Sequence, residues 1–167
     1  MRGWPFSDDA LRAMYRGGRA NAEARRLARM WAKVFGLGVM PGRWVTLEVP
    51  GRRTGRITRF PLGMAYWHGE RYLVSFLGEQ CNWVQNVHAA DGRVTLRRRR
   101  AFPCLLAEVP VNERGPIIKL YLEQVPGGRP HIPVDRRAPA ADFTVIAARY
   151  PVFRVVARPD VTGPPGP

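Results

Sequence analysis

Lysine and cysteine are scarce in this chain, acids are few, and no long apolar run occurs. Only Lys33 and Lys119 are lysines among the 27 basic residues, so arginine carries almost all of the positive charge. Set against 13 acids, this leaves a formal net charge of +14, which excludes a self-neutralised surface and predicts a field that draws in anions. Nucleic acid, anionic lipid headgroups and a polyanionic cofactor all suit such a field, and net charge does not choose among them. GC-rich coding also enriches arginine, without any functional cause. Two cysteines, Cys81 and Cys104, are too few for a disulfide framework and lack metal-site spacing, so reduced, partly buried thiols are expected. No apolar stretch approaches the roughly 18 residues that span a bilayer. Ser7, Asp8 and Asp9 interrupt the start of the chain where a signal peptide would need an apolar core, so a cytoplasmic protein is expected.

What is present reads as one globular domain. The chain has 167 residues, 46% of them hydrophobic and five of them tryptophan, enough for a real core. The expected domain covers residues 1–158, with a helical segment over 1–40 and a disordered Pro/Gly tail over 159–167. Asn21 to Phe35 has helical periodicity: Leu27, Met30, Trp31, Val34 and Phe35 share one face, with Asn21 as N-cap and Gly36 and Gly38 as the stop. A shorter helix capped by Ser7 is expected before it. A basic amphipathic helix of this kind packs on a core or touches a membrane surface.

From Trp44 the pattern becomes β. Strands are expected over Trp44–Val49, Ile57–Trp67, Arg71–Phe76, Arg93–Arg98, Ala101–Val109 and Val152–Ala157, with a hairpin turn at His68-Gly69-Glu70. Helices are expected over Asn82–Ala90, from a cap at Asn112 to about Gln124, and over Ala140–Arg149, with an ordered loop over Pro126–Pro139. The fold class is therefore α+β, a barrel of about six mainly antiparallel strands with peripheral helices.

One loop stands out. Gly51-Arg52-Arg53-Thr54-Gly55-Arg56, followed by Arg59, Pro61 and Leu62, sets four arginines and two turn-forming glycines into nine residues at a strand edge. Glycine permits a tight turn and a close approach, and arginine offers a planar fork of donors that fits phosphate or carboxylate. The loop is a candidate seat for a small, multiply charged anion, and a solvated hairpin is the competing reading.

This loop, the Arg59-Phe60-Pro61-Leu62 segment, Leu73-Val74-Ser75 and Asn82-Trp83-Val84-Gln85-Asn86-Val87 together resemble the deazaflavin-dependent nitroreductase family of actinobacteria, also called F420-dependent quinone reductases. The likeness runs from about Trp44 to Leu96, with weaker support to Val156. It implies a split β-barrel that binds coenzyme F420, with FMN as the alternative flat cofactor. By that resemblance Arg52, Arg53, Arg56 and Arg59, with Thr54 and the amides near Gly55, would hold the phosphate and glutamate tail. Pro61, Leu62 and Gly63 would lie beneath the ring, Ser75, Phe76, Leu77 and Gly78 along its edge, and Trp83 and Asn86 at the far wall, with Asn82 also among the cofactor-binding residues.

The implied activity is hydride transfer from the reduced deazaflavin to a quinone-like or nitroaromatic acceptor. Ser75 would stabilise charge developing on the acceptor, and Tyr121 or Tyr150 would hold or protonate it. His131 is a further proton donor to weigh, although a surface histidine is the simpler reading. Members of the family usually follow the serine with a basic residue and a glycine pair, where this chain has Phe76-Leu77-Gly78-Glu79-Gln80. The alternative function is a non-catalytic binder of a cofactor or lipid-like molecule on the same fold. No metal site, Walker loop, nucleophile elbow or nucleic-acid-reading module is legible, so the expected partner is a small molecule and not a nucleic acid, with a peripheral membrane contact through the N-terminal helix as a further option.

Overall fold

The computed structural model of the protein describes residues 22–37 and 42–158. The helix expected from Ser7, the Asn21 cap and the tail from Pro159 lie outside the described residues. The elements are α1 (Ala22–Gly36), β1 (Trp44–Pro50), β2 (Ile57–Gly63), β3 (Ala65–Trp67), β4 (Glu70–Val74), α2 (Asn82–Ala89), β5 (Arg93–Arg98), β6 (Arg100–Glu108), α3 (Val111–Gln124), α4 (Ala140–Ile146) and β7 (Val152–Ala157). Short 3-10 turns cover Pro126–His131 and Ala147–Arg149.

The strands form one seven-stranded sheet in the order β2-β1-β5-β6-β7-β4-β3, antiparallel throughout. Its two edges, β2 and β3, are separated in the chain by Met64 alone. Two residues spaced around a single one lie at most about 7 Å apart, so the sheet must curl until its edges nearly meet. The fold is an α+β split barrel. The run expected as one strand over Ile57–Trp67 is thus two strands on opposite edges, hinged at Met64, whose amide donates to the Arg43 carbonyl at 2.7 Å.

Strand alternation sorts the side chains into two cores. Val45, Leu47, Val49, Leu73, Val94, Leu96, Cys104, Leu106, Phe153 and Val155 fill the barrel, and α2 plugs it with Trp83, Val84 and Val87. The opposite sheet face, with Trp44, Ala65, Tyr72, Val74 and Val152, packs beneath α3 and α4 through Ile118, Tyr121, Leu122 and Phe143, and beneath α1 through Trp31 and Val34. Because α1 covers that face, β1 is buried on both sides, and the polar positions of its alternating pattern find partners. The Thr46 hydroxyl donates to the Ala32 carbonyl, and Glu48 engages two arginines.

The β3–β4 turn forms at His68 and Gly69, whose φ angles of 48° and 79° match a two-residue turn of the I′ kind. Asn112 is not a cap: α3 begins at Val111 after Pro110, whose fixed φ suits a helix start. The helix expected over Ala140–Arg149 tightens to 3-10 geometry from Ala147, and the Pro126–Pro139 loop begins with a 3-10 turn that buries Gly128.

Candidate functional site

The arginine loop closes on itself. The Gly51 amide donates to the Arg56 carbonyl at 2.8 Å, and the Thr54 and Gly55 amides donate to the Gly51 carbonyl at 3.2 and 2.8 Å. Gly55 completes this turn at φ 67°, in the left-handed region that a side chain would strain. The amides that could have faced an anion are therefore largely spent inside the loop. The Thr54 hydroxyl accepts from the Arg56 amide at 3.4 Å and keeps its own proton for an outside acceptor.

Asn86 bolts this loop to α2. Its Oδ1 accepts from the Arg52 amide at 3.2 Å and from Arg52 Nη1 at 3.1 Å, and its side-chain amide donates to Thr58 Oγ1 at 3.1 Å. Thr58 in turn donates to the Val49 carbonyl at 2.8 Å, so loop, strand and helix share one network. Asn86 is 4% exposed. Arg52 also reaches Asn82 Oδ1 at 3.5 Å, at the start of α2. Arg53 and Arg56 project into solvent, and among the described residues neither guanidinium meets an acid. Two uncommitted cations on a loop fixed from behind fit a phosphate or polycarboxylate ligand.

The structure does not bring Arg59 to this group. In β2 the side chains alternate: Thr58, Phe60 and Leu62 face the barrel, while Arg59, Pro61 and Gly63 face the α1 side. Arg59 Nε binds Glu48 Oε1 at 2.9 Å, and Arg97 grips the same carboxylate at 2.9 and 3.2 Å. The bonds from Arg97 hold the Glu48 pKa below its ordinary value, burial opposes this, and Arg59 adds to the lowering. Gly63 is covered: a Cβ there would meet Val125 Cγ1 at 2.3 Å, so the position serves close packing and leaves no room for a ring above it.

The segment after β4 is ordered by local bonds. Ser75 is 1% exposed, its hydroxyl donates to the Gly78 carbonyl at 2.8 Å, and its amide donates to the Pro151 carbonyl at 2.9 Å. The Gly78 and Cys81 amides are also taken, by the Ser75 and Gly78 carbonyls. The amides of Phe76 and Leu77 make no bond to another described residue, and neither do those of Glu79 and Gln80, so the backbone donors between Ser75 and Gly78 are the first two. Trp83, expected at a wall, is core: it is buried in the barrel with its ring centroid 5.4 Å from that of Phe153. Cys81 lies beside the first amides of α2 and the Ser75 hydroxyl, yet burial outweighs them and pushes its thiol pKa up.

The substrate-side candidates gather around Phe76. Its ring stacks on His131 at 4.9 Å with planes 20° apart, and the Tyr150 hydroxyl donates to the His131 carbonyl at 3.3 Å. Burial raises the Tyr150 pKa. Tyr121 is fully buried in the core beneath α3, and burial raises its pKa strongly, so it stays a neutral phenol. His68 is exposed at its turn, whereas His88 pairs with Glu108 at 3.0 Å. A separate open hollow of about 450 Å³ lies between α4 and the loop before it. Its charged lining residues, Asp135 and Asp142, are both acids, which disqualifies it as an anion seat. Among the described residues no group of His, Cys, Asp and Glu could hold a metal, and no helix is long and apolar enough to cross a membrane.

Thr58 and the Glu48 carboxylate carry no site motif in the sequence, yet both hold arginine-bearing elements in place. The signal for the second was available: Glu48 and Arg59 lie equidistant from the turn and so face each other across the hairpin.

Fold and site together define a split barrel with a braced, arginine-rich loop at one end. No family model and no curated protein matches the chain. Among solved structures, it is similar to a protein of unknown function from Agrobacterium tumefaciens, with 13% identity over 81% of this chain and 54% of that one and a TM-score of 0.51. That match shows a shared fold. The chain is also similar to an F420-H2 dependent reductase, with 23% identity over 68% of this chain and 94% of that one and a TM-score of 0.47. A conserved hypothetical protein from Mycobacterium tuberculosis has 17% identity over 86% and 84% of the two chains and a TM-score of 0.48.

Proposed function

We propose that this chain is a deazaflavin-dependent reductase that passes a hydride to a quinone-like or nitroaromatic acceptor. The observation that carries the reading is the loop: Arg53 and Arg56 meet no acid among the described residues and stand on a turn that Asn86 and Thr58 brace, as a ligand with a phosphate and carboxylate tail requires. Together with the Asn82–Asn86 motif on α2, this supports the resemblance seen in the sequence.

When bound and reduced, a deazaflavin supplies a hydride from its central ring carbon. The protein's part is to anchor, orient and exclude water. Arg53 and Arg56, with the Thr54 hydroxyl, would hold the anionic tail, and Arg52 would contribute the donors that Asn82 and Asn86 leave unused. The Phe76 and Leu77 amides would meet polar atoms at the ring edge. Ser75 acts by holding the Phe76–Gly78 turn through its bond to the Gly78 carbonyl, and it reaches an acceptor oxygen only if that bond opens. Tyr150 supports the His131–Phe76 stack, which is the aromatic surface available to a flat acceptor.

A second reading has one observation in its favour: the hydroxyls of Ser75 and Tyr121 lie on buried residues, which suits a binder without turnover. Reduced deazaflavin with menadione separates the two. Multiple turnovers of cofactor oxidation support the reductase, and tight binding without oxidation supports the carrier.

A further inference from the structure

The exposed side of α1 has a composition that neither the core nor the anion seat explains. Its inward side buries Ala32 and half-buries Leu27, Trp31 and Val34. Opposite lie Arg26, Arg29, Met30, Lys33 and Leu37, the last carried one step past the helix by a bond from its amide to the Lys33 carbonyl at 3.1 Å. At 3.6 residues per turn these five fall within an arc of about 100°, so they form one stripe. Met30 is 51% exposed and Leu37 69%, two of the largest apolar exposures among the described residues, and three cations surround them.

We propose that this stripe docks the protein onto an anionic bilayer surface, with Met30 and Leu37 entering the headgroup–acyl boundary and Arg26, Arg29 and Lys33 meeting lipid phosphates. A helix lying in an interface needs this arrangement: apolar side chains along the line of contact and cations that reach the headgroups from either side. Charge complementarity selects the occupant. The whole chain carries +14, and on the same sheet face Arg59 and Arg97 share the single carboxylate of Glu48, so the ground beside the helix is also net positive. A nucleic acid would use the cations and leave the apolar pair in water, and so does not account for Met30 and Leu37.

The test is co-sedimentation of the full chain with vesicles of phosphatidylcholine alone and of phosphatidylcholine with phosphatidylserine. The protein should pellet with the anionic vesicles and stay in solution with the neutral ones. Met30→Ser with Leu37→Ser, and separately Arg29→Glu with Lys33→Glu, should each weaken partitioning about ten-fold or more. Circular dichroism should show an unchanged fold, as expected for exposed positions. Arg136→Glu with Arg137→Glu changes the net charge equally on the exposed loop before α4, outside the stripe, and should leave partitioning within about two-fold. Three results would overturn the proposal: no binding to anionic vesicles, equal losses from the Arg136 and Arg137 pair, or indifference to the Met30 and Leu37 changes, which would point to nonspecific polyanion binding. Concentration-dependent dimers in light scattering, abolished by the same stripe variants, would instead assign the face to a second copy.

Discussion

Replacing Asn86 with alanine should release the arginine loop and destabilise the protein at once. Three hydrogen bonds end on this buried side chain, two from Arg52 and one to Thr58 Oγ1. Each contributes about 1 kcal/mol net, and the Arg52 amide would be left facing a hole, so the loss is about 3 kcal/mol. For a domain of this size that lowers Tm by roughly 6–12 °C. The loop would then sample orientations other than the one that presents Arg53 and Arg56, and deazaflavin affinity should fall about ten-fold or more. Arg53→Glu provides the contrast. Arg53 has no partner among the described residues, so its reversal should leave Tm within about 1 °C, as usual for exposed positions, while weakening the cofactor at least as much. Differential scanning calorimetry and fluorescence quenching of the oxidised deazaflavin read the two effects separately. An Asn86→Ala protein with unchanged Tm would refute the bracing network, and one with lowered Tm but full affinity would refute its link to the ligand.

Glu48→Gln should cost about 1–2 kcal/mol in chemical denaturation at neutral pH, because it uncouples Arg59 and Arg97 from a largely buried carboxylate. The Glu48 pKa is lowered in the folded state, so its contribution is complete above the unfolded value of about 4.5 and fades as pH falls through the lower folded value. Wild type and variant should therefore converge in strongly acidic buffer, and a constant gap would contradict the assignment. Gly63→Ala drives a Cβ against Val125 at 2.3 Å and should destabilise by about 1–3 kcal/mol, whereas an unchanged Tm would show that the strand shifts freely. Ser75→Ala removes the bond to Gly78 and should cost about 1 kcal/mol. If Ser75 only props the turn, the variant loses cofactor affinity and keeps its turnover at saturation; a selective loss of kcat would instead make it a catalytic residue. Cys104 is fully buried and its thiol pKa is pushed up to about 12, so thiol reagents should leave it unmodified until the protein unfolds.

The elements were largely legible because periodicity reports burial, and burial is what the barrel imposes. The strands from Trp44, Arg93, Arg100 and Val152 and the helices at Ala22 and Asn82 follow from apolar spacing to within a residue or so. What periodicity could not convey was three-dimensional company. The break at Met64 leaves no mark in the pattern, since β2 and β3 are both half-apolar and only sheet closure separates them. Alternation along β2 does predict that Arg59 and Thr58 face opposite ways, yet the arginines read as one cluster because their charges are adjacent in sequence. Trp83 illustrates the same limit: a tryptophan beside a polar motif reads equally as a wall or as core, and the barrel interior decides. Asn86 was legible as a site residue, but its task of holding the loop depends on contacts 34 residues away, with Arg52.

The most direct test of the central claim is a titration of oxidised deazaflavin with the full chain, followed by quenching of the cofactor's fluorescence. The account predicts saturable binding at micromolar protein that weakens about ten-fold or more on Arg53→Glu or Arg56→Glu and stays within about two-fold on Arg136→Glu. Absence of saturable quenching, or equal losses from all three reversals, would contradict it.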